Sequence, residues 1–460
     1  MAAPYSEVRL IWSSDAARMP VDWNEPVHDP LRPLMQHSVV RRSLIVTAAF
    51  VIGHLFHYGL MFSANRILDP GAFGRFYAAL SLLNVLLTPA TVLSFMFAKH
   101  FSVVFSAAGA ASLVAELDML MRRHGAAGLV LVMLSALALM LVGSLLGADA
   151  LLLLMLVPSV ALLVYLFEMA RAALQGMLDF YSYGAAWIGW RIGQYVLAVL
   201  ALLITGAAWA GMAAIFFATA IATLVLLQVM RRRAKAAPGG VAGAAWPPLR
   251  IMAAAPFALQ YGIFILISNV DILVAYLVLS NDQLGSYAAS SLLPKAIVTA
   301  TLPVSQVMLP VMSADEGARM WTALLKAVGV SAFLSTVGVA VLALGSELAC
   351  NDQFGIRFCS PWLLEVLALG AIPLSVSRVL VVAGLALGSE RHIAAPATVI
   401  IGFGAIVFIW ATSPSTLAVI YTGFCWLFVL VYGLATFYGR RNMPGAVSPA
   451  PVEANAPDAP

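Results

Sequence analysis

Charge is what this 460-residue sequence has least of: Asp, Glu, Lys and Arg together make up 10% of it, where a soluble domain carries about 25%. No water-soluble surface can be assembled from that supply. Cysteine is nearly absent, with three residues and no C-x-x-C pair, which excludes zinc ribbons and thioredoxin-like chemistry. Nothing in the composition asks for a metal or a cofactor. The basic residues do not gather into a stripe interleaved with aromatics, so nucleic acid is not an expected partner. Barrel-type strand alternation is missing. Met1 to Arg42 is polar and contains five prolines, unlike a cleavable signal peptide, and reads as a cytosolic extension.

What the sequence has in quantity is apolar side chains, at 62%. In lipid the backbone must pair its own polar groups within each segment, so helices are expected throughout. Runs of about 20 apolar residues, long enough to cross a bilayer, recur twelve times. They cover 43–65, 75–98, 125–146, 150–174, 182–205 and 208–230, then 252–277, 284–312, 320–346, 361–387, 393–412 and 415–438. Basic residues stay on the cytosolic side during insertion. With the N-terminus inside, seventeen of the 25 Lys and Arg fall in cytosolic segments, three (Arg66, Arg75, Arg357) fall outside, and five lie in or near spans. Both termini are therefore expected in the cytosol.

The string RRRAKAAPGGVAGAAWPPLR at 231–250 divides the spans into two sets of six. Its Gly, Pro and Ala clusters bury nothing, and it reads as a solvated linker. The expected organisation is thus an extension (1–42), a six-helix lobe (43–230), a linker (231–250), a second six-helix lobe (251–438) and a disordered cytosolic tail (439–460). A short echo relates the halves. Leu68-Asp69-Pro70-Gly71-Ala72-Phe73-Gly74 leads into Tyr77-Ala78-Ala79, and Asp282-Gln283-Leu284-Gly285 leads into Tyr287-Ala288-Ala289, each at the outer end of its half's second span. That placement fits parallel repeats about an axis along the membrane normal. Segment 99–124 is too polar to span, and its Phe101, Val103, Val104, Leu113, Leu117, Met119 and Leu120 predict an amphipathic helix along the inner surface.

The sequence resembles the polysaccharide-transporter branch, Wzx-like lipid-linked oligosaccharide flippases, of the multidrug, oligosaccharidyl-lipid and polysaccharide (MOP) flippase superfamily. The resemblance rests on Arg66 through Gly74, on Ala173-Leu174-Gln175-Gly176, and on Asp271 through Gly285-Ser286-Tyr287. It implies an all-α, MATE-like membrane fold of two lobes rocking around a central cavity. It also implies a substrate: a polyprenyl-pyrophosphate-linked sugar made at the inner face of a bacterial cell membrane.

An ionisable side chain at membrane depth is a functional candidate by default. Lys295 lies about 11 residues into its span, roughly 16 Å deep at 1.5 Å per residue, and is expected to face a cavity as a substrate-binding cation. Arg191 and Arg378 lie in the cytosolic halves of theirs, where a pyrophosphate first enters and a guanidinium fork suits its oxygens. The bland alternative pairs these arginines with Glu168 or Asp179. Arg171, three residues from Glu168, reads as one half of a structural ion pair. Asp271 is read first as the partner of a nearby base and second as a site for a coupling ion. Arg66 and Arg75 are read first as loop anchors and second as outer-face phosphate contacts. His54 and His57 share a helix face as a hydrogen-bonded pair ahead of a metal site. Cys350 and Cys359 sit in the longest outer loop as a candidate disulfide.

A cationic, water-filled cavity open sideways to lipid would let a sugar-pyrophosphate headgroup cross while its tail stays in the bilayer. The rivals are a multidrug-type exporter, which generally keeps an acidic cation site where the first span here has no carboxylate, and a membrane subunit of an exopolysaccharide export complex acting with synthesis or export proteins. An embedded enzyme needs an outer catalytic surface, and the loop near Glu347 to Ser360 is too short to provide one.

Overall fold

The computed structural model describes residues 32–142, 148–236, 255–305, 318–353, 355–386 and 410–441, with 399, 402–404 and 406–407 between the last two stretches. Every regular element among them is a helix. In chain order these are α1 (Arg32–Ile67), α2 (Pro70–Leu86), α3 (Thr88–Val142), α4 (Ala148–Gly176), α5 (Phe180–Thr205), α6 (Ala208–Ala236), α7 (Ala255–Val278), α8 (Asn281–Ala300), α9 (Ala318–Leu344), the single turn α10 (Ser346–Ala349), α11 (Pro361–Ala386) and α12 (Pro414–Arg441).

Local chemistry sets several of these ends. Asp69 caps α2, its Oδ1 accepting from Ala72 N at 2.7 Å, with Pro70 in the first turn where its missing N–H costs nothing. Asp179 caps α5 in the same way through Ser182 N at 3.1 Å. Gly206 ends α5 in the left-handed region at φ 64°.

Nine helices among the described residues are long and apolar enough to cross a membrane. One of them, Pro70–Leu141, merges the second and third expected spans. The eighth span is described as far as 305, about half of the eleventh falls outside the described residues, and 1–31, 237–254 and 442–460 fall outside them entirely. Large apolar side chains face outward along the helices, Ile204, Leu277 and Leu344 among them, which suits lipid as the surrounding solvent.

The helices form two lobes. In the first, α3 packs along α4, α1 along α5, and α6 against α4 and α5. In the second, α11 packs against α8, α9 and α12. The lobes meet chiefly where α2 crosses α8 and α7.

Segment 99–124 is not a single helix lying on the surface. Gly109, at φ 77°, reverses the chain inside α3, a conformation that glycine adopts without a Cβ clash. The two arms run back along each other: His100 Nε2 meets Glu116 Oε1 at 3.0 Å, and Phe97 meets His124 edge-on. Phe101, Val104, Leu113 and Leu117 are fully buried between the arms and α4, so most of the expected stripe packs inside the first lobe, while Val103 and Met119 stay exposed. The second span also differs from expectation: α2 stops at Leu86 and α3 restarts at Thr88.

The two halves of the sequence echo touch each other. A Cβ on Gly285 would stand 2.3 Å from the Pro70 carbonyl oxygen, and one on Gly74 would stand 3.0 Å from Gly285 N and 2.6 Å from Leu284 Cγ. Backbone therefore meets backbone where α2 and α8 begin, and this seals one end of the lobe interface. A loop of the second lobe fastens the same end. Cys350 and Cys359 are joined in a disulfide with 4.9 Å between Cα atoms, and the loop they close is tied to the end of α1 by five hydrogen bonds. Asn65, fully buried, donates to Arg357 O at 2.9 Å and accepts from Arg357 N at 2.7 Å. Arg66 donates to the carbonyls of Asp352 (2.5 Å) and Gln353 (2.6 Å), and Arg357 Nη1 donates to Arg66 O at 3.0 Å.

Candidate functional site

Between the lobes lies a cavity of about 1440 Å³ walled by α1, α2, α3, α4, α5, α7, α8 and α11. It runs from the level of Met61, Tyr77 and Lys295 toward the end where α1 begins and α4 finishes, with Val46, Gln175 and half-exposed Leu178 along its mouth. The opposite end is the sealed one. A single hydrogen bond, Tyr58 Oη to Thr299 Oγ1 at 2.7 Å, spans the gap between α1 and α8.

Four permanent cations line this space, Arg171, Arg191, Lys295 and Arg378, together with His54 and His57. Among its described lining residues Glu168 is the sole carboxylate. Arg171 Nη2 holds that carboxylate at 2.5 Å, as helical spacing predicts. Asp179, the other carboxylate offered to the arginines, is bound to Arg233. Arg191 consequently has no acid beside it. Its Nη1 donates to Gln194 Oε1 at 3.0 Å and lies 3.5 Å from His57 Nδ1, and its Nε has no partner. Gln194 and Trp190 in turn donate to Thr219 Oγ1 at 3.3 and 3.0 Å, which fixes the carrier of Arg191. Arg378 donates to Val298 O at 2.8 Å and also keeps a free Nε. Arg191 and Arg378 come from opposite lobes, yet both lie within electrostatic reach of His54 and Tyr58 on α1.

An aromatic wall carries these cations, and the sequence reading missed it. The Trp187 ring has the Arg171 guanidinium carbon 4.8 Å and the Arg191 carbon 4.6 Å from its centroid, with Phe50 tilted against it at 4.8 Å. Tyr183 approaches Arg171 to 4.3 Å and Trp190 approaches Arg191 to 4.4 Å. Cation–π contact is worth more where water is scarce, so the rings hold Arg191, which no carboxylate contacts, and back the Arg171–Glu168 pair. The available signal was Tyr183, Trp187, Trp190 and Arg191 at helical spacing on α5, facing Phe50 and His54 on α1. Gly53 makes room for the indole: a Cβ there would stand 2.1 Å from Trp187 Nε1. Gly53→Val is expected to expel the ring and to destabilise the chain by about 1–3 kcal/mol, the usual cost of overpacking. A lowered Tm in detergent reads it, and an unchanged Tm would refute the packing.

Several expected roles change. Lys295 lines the cavity, but its ammonium is not free; Nζ sits 2.9 Å from Asp271 Oδ1. Asp271 thus has the partner that its first reading gave it, because both groups are held at membrane depth where neither is tolerated alone. Arg66 and Arg75 do not line the cavity. Arg66 is committed to backbone carbonyls as described, and Arg75 donates to Asn281 Oδ1 at 3.1 Å across the lobe interface; both serve here as ties at the seal, as their first reading as loop anchors has it. His54 and His57 face the cavity, and no group of three metal-binding side chains occurs among the described residues.

No family model matches this chain, and no curated protein matches it. Solved structures do. An inward-facing multidrug resistance MATE family transporter of the MOP superfamily superposes with a TM-score of 0.65 at 12% identity, covering 87% of this chain and 99% of that one. The fold is that of the MOP-superfamily transporters. The lipid II flippase MurJ, in an inward closed conformation, shares it with a TM-score of 0.61 at 14% identity over 86% of this chain and 87% of its own. So does a MOP superfamily transporter from Pyrococcus furiosus, described by the reverse polarity of its binding pocket, with a TM-score of 0.60 at 12% identity over 87% and 95%. In this fold the cavity lies between the two lobes.

Proposed function

We propose that the chain is an alternating-access transporter of a bacterial inner membrane that carries the anionic headgroup of a lipid-linked oligosaccharide, or of another polysaccharide precursor, from the cytosolic to the outer face. The observation that carries the reading is that two of the four lining cations, Arg191 and Arg378, have no carboxylate in contact, while Arg171 and Lys295 are paired with Glu168 and Asp271. The excess of basic residues in the loops supports a cytosolic N-terminus, which makes the open end of the cavity the inner one. Lobes 43–230 and 251–438, joined by the cytosolic linker 231–250, are then the moving bodies.

A pyrophosphate has oxygens enough for both free guanidinium groups, and Arg191 and Arg378 reach it from opposite lobes. Its entry would neutralise them together and draw the lobes inward, while the seal at α2 and α8 opens outward. Moving about two negative charges outward across an inside-negative membrane gains roughly 4–5 kcal/mol per 100 mV. The fold shared with the lipid II flippase supports a lipid-bearing substrate. A cationic drug, by contrast, would meet repulsion in this cavity. The N-terminal extension 1–42 is the surface left for polysaccharide synthesis or export proteins.

Reconstitution into liposomes tests the reading. Polyprenyl-pyrophosphate-linked oligosaccharide placed on the inner-face side is expected to appear on the other side at a rate that depends on the protein. Export of soluble organic anions with no movement of the lipid-linked sugar would replace the flippase reading with an exporter one.

A further inference from the structure

Behind the cavity wall is a second, much smaller space of about 10 Å³, lined by Asp271, Ser291, Lys295 and Tyr421 among others. That is close to the smallest volume that holds one water. Lys295 lines both spaces, whereas Asp271 lines only the small one. The lysine is therefore a stopper between the transport path and a buried carboxylate.

The chamber's polar lining is Asp271, Ser291, Lys295 and Tyr421, and its other lining residues are apolar. Asp271 is fully buried, its Oδ1 holds the Lys295 ammonium at 2.9 Å, and its Oδ2 has no hydrogen-bond partner. Ser291 donates its hydroxyl proton to Ala288 O at 2.9 Å and Tyr421 donates its own to Ile267 O at 3.2 Å. Both hydroxyl oxygens keep lone pairs to offer. A carboxylate and two hydroxyl oxygens form a donor set for a hard monovalent cation, and oxygen is the ligand such ions take. What stands there instead is an ammonium on a tether, steadied from the other lobe by the Tyr77 ring, whose centroid is 5.7 Å from Nζ.

We infer that Lys295 is a built-in cation filling a monovalent-cation site at Asp271, so that this chain needs no dissolved sodium or potassium there. The inference goes beyond the transport reading, since it concerns what neutralises Asp271 and not what the main cavity carries. A buried carboxylate stripped of its only base must take a proton, take another cation or lose much of its stability. Removing the lysine side chain should therefore convert a self-sufficient site into one that recruits an ion from solution.

The test is thermal unfolding of the purified full chain in detergent, in sodium, potassium or N-methylglucamine chloride at equal ionic strength. Wild type is expected to unfold at one temperature in all three. Lys295→Ala should have a lower Tm in N-methylglucamine and regain about 3 °C or more in sodium or potassium, as a ligand that binds only the folded state does. The double variant Asp271→Asn with Lys295→Ala should lose that dependence. If Lys295→Ala does not yield folded protein, Lys295→Gln, which fills the space without the charge, is read in the same way. Ion-independent unfolding of the folded lysine variant would overturn the inference. So would a sodium or potassium shift in wild type that Asp271→Asn removes. Neither result depends on what the protein transports, so failure here and failure of the flippase reading are separate outcomes.

Discussion

Arg191→Ala and Arg378→Ala are each expected to slow headgroup translocation by about 10- to 100-fold, since a hydrogen bond to a charged group is worth about 1.5–3 kcal/mol. Neither arginine has a carboxylate beside it, so neither truncation strands a buried acid. The fold should survive, with Trp187 and Trp190 losing only a cation–π contact. Lysine at either position is expected to fall between the two, because it restores the charge without the planar fork that takes two phosphate oxygens at once. Initial rates in proteoliposomes, set beside Tm in detergent, separate a lost contact from a lost fold. Rates within a factor of two of wild type for both alanine variants would remove the two arginines from the path.

A side chain at position 285 should stop the cycle by a different route. Gly285→Val would drive a Cβ to 2.3 Å from the Pro70 carbonyl oxygen, and since that atom is backbone it has no rotamer by which to retreat. The sealed end could then no longer close, and the population would move to the state open on that side. Transport is expected to fall at least tenfold while substrate binding from the outer side persists. Leu284, 2% exposed in the sealed state, supplies the readout. In the Leu284→Cys background a membrane-impermeant thiol reagent should label the Gly285→Val protein and leave the Gly285 parent unmodified. The native cysteines do not interfere, because two are joined and Cys425 is buried. Equal labelling of both proteins would show that the α2–α8 contact is not the seal.

How far the fold could be read from sequence follows from which signals are local. Apolar runs and the sidedness of Lys and Arg are properties of single segments, and they predict the membrane helices and the division into two lobes. The reversal at Gly109 was hidden because its flanks keep helical periodicity, and an isolated glycine in such a run reads as a tolerated one. The break between Leu86 and Thr88 had a local signal in Pro89, which favours the first turn of a helix, but the length of the apolar stretch argues for a single span. At the site, the arginines were legible because a cation at membrane depth stands out anywhere. Their surroundings were not. The pairing of Lys295 with Asp271 joins different helices, as does the packing of Trp187 over Gly53, and such contacts become visible only once α1 is laid on α5 and α7 beside α8. The echo of Gly74 and Gly285 was legible as repetition, but not as two halves of one contact.

The seal and the pinned loop act at one end alone, while a single hydroxyl pair bridges α1 and α8 beside the cavity. In the proposed transport cycle, an unloaded carrier built this way would rest with its mouth toward the cytosol. Release on the far side would be the strained posture, held while the passenger makes up for the broken ties, and the return would need no separate driving force.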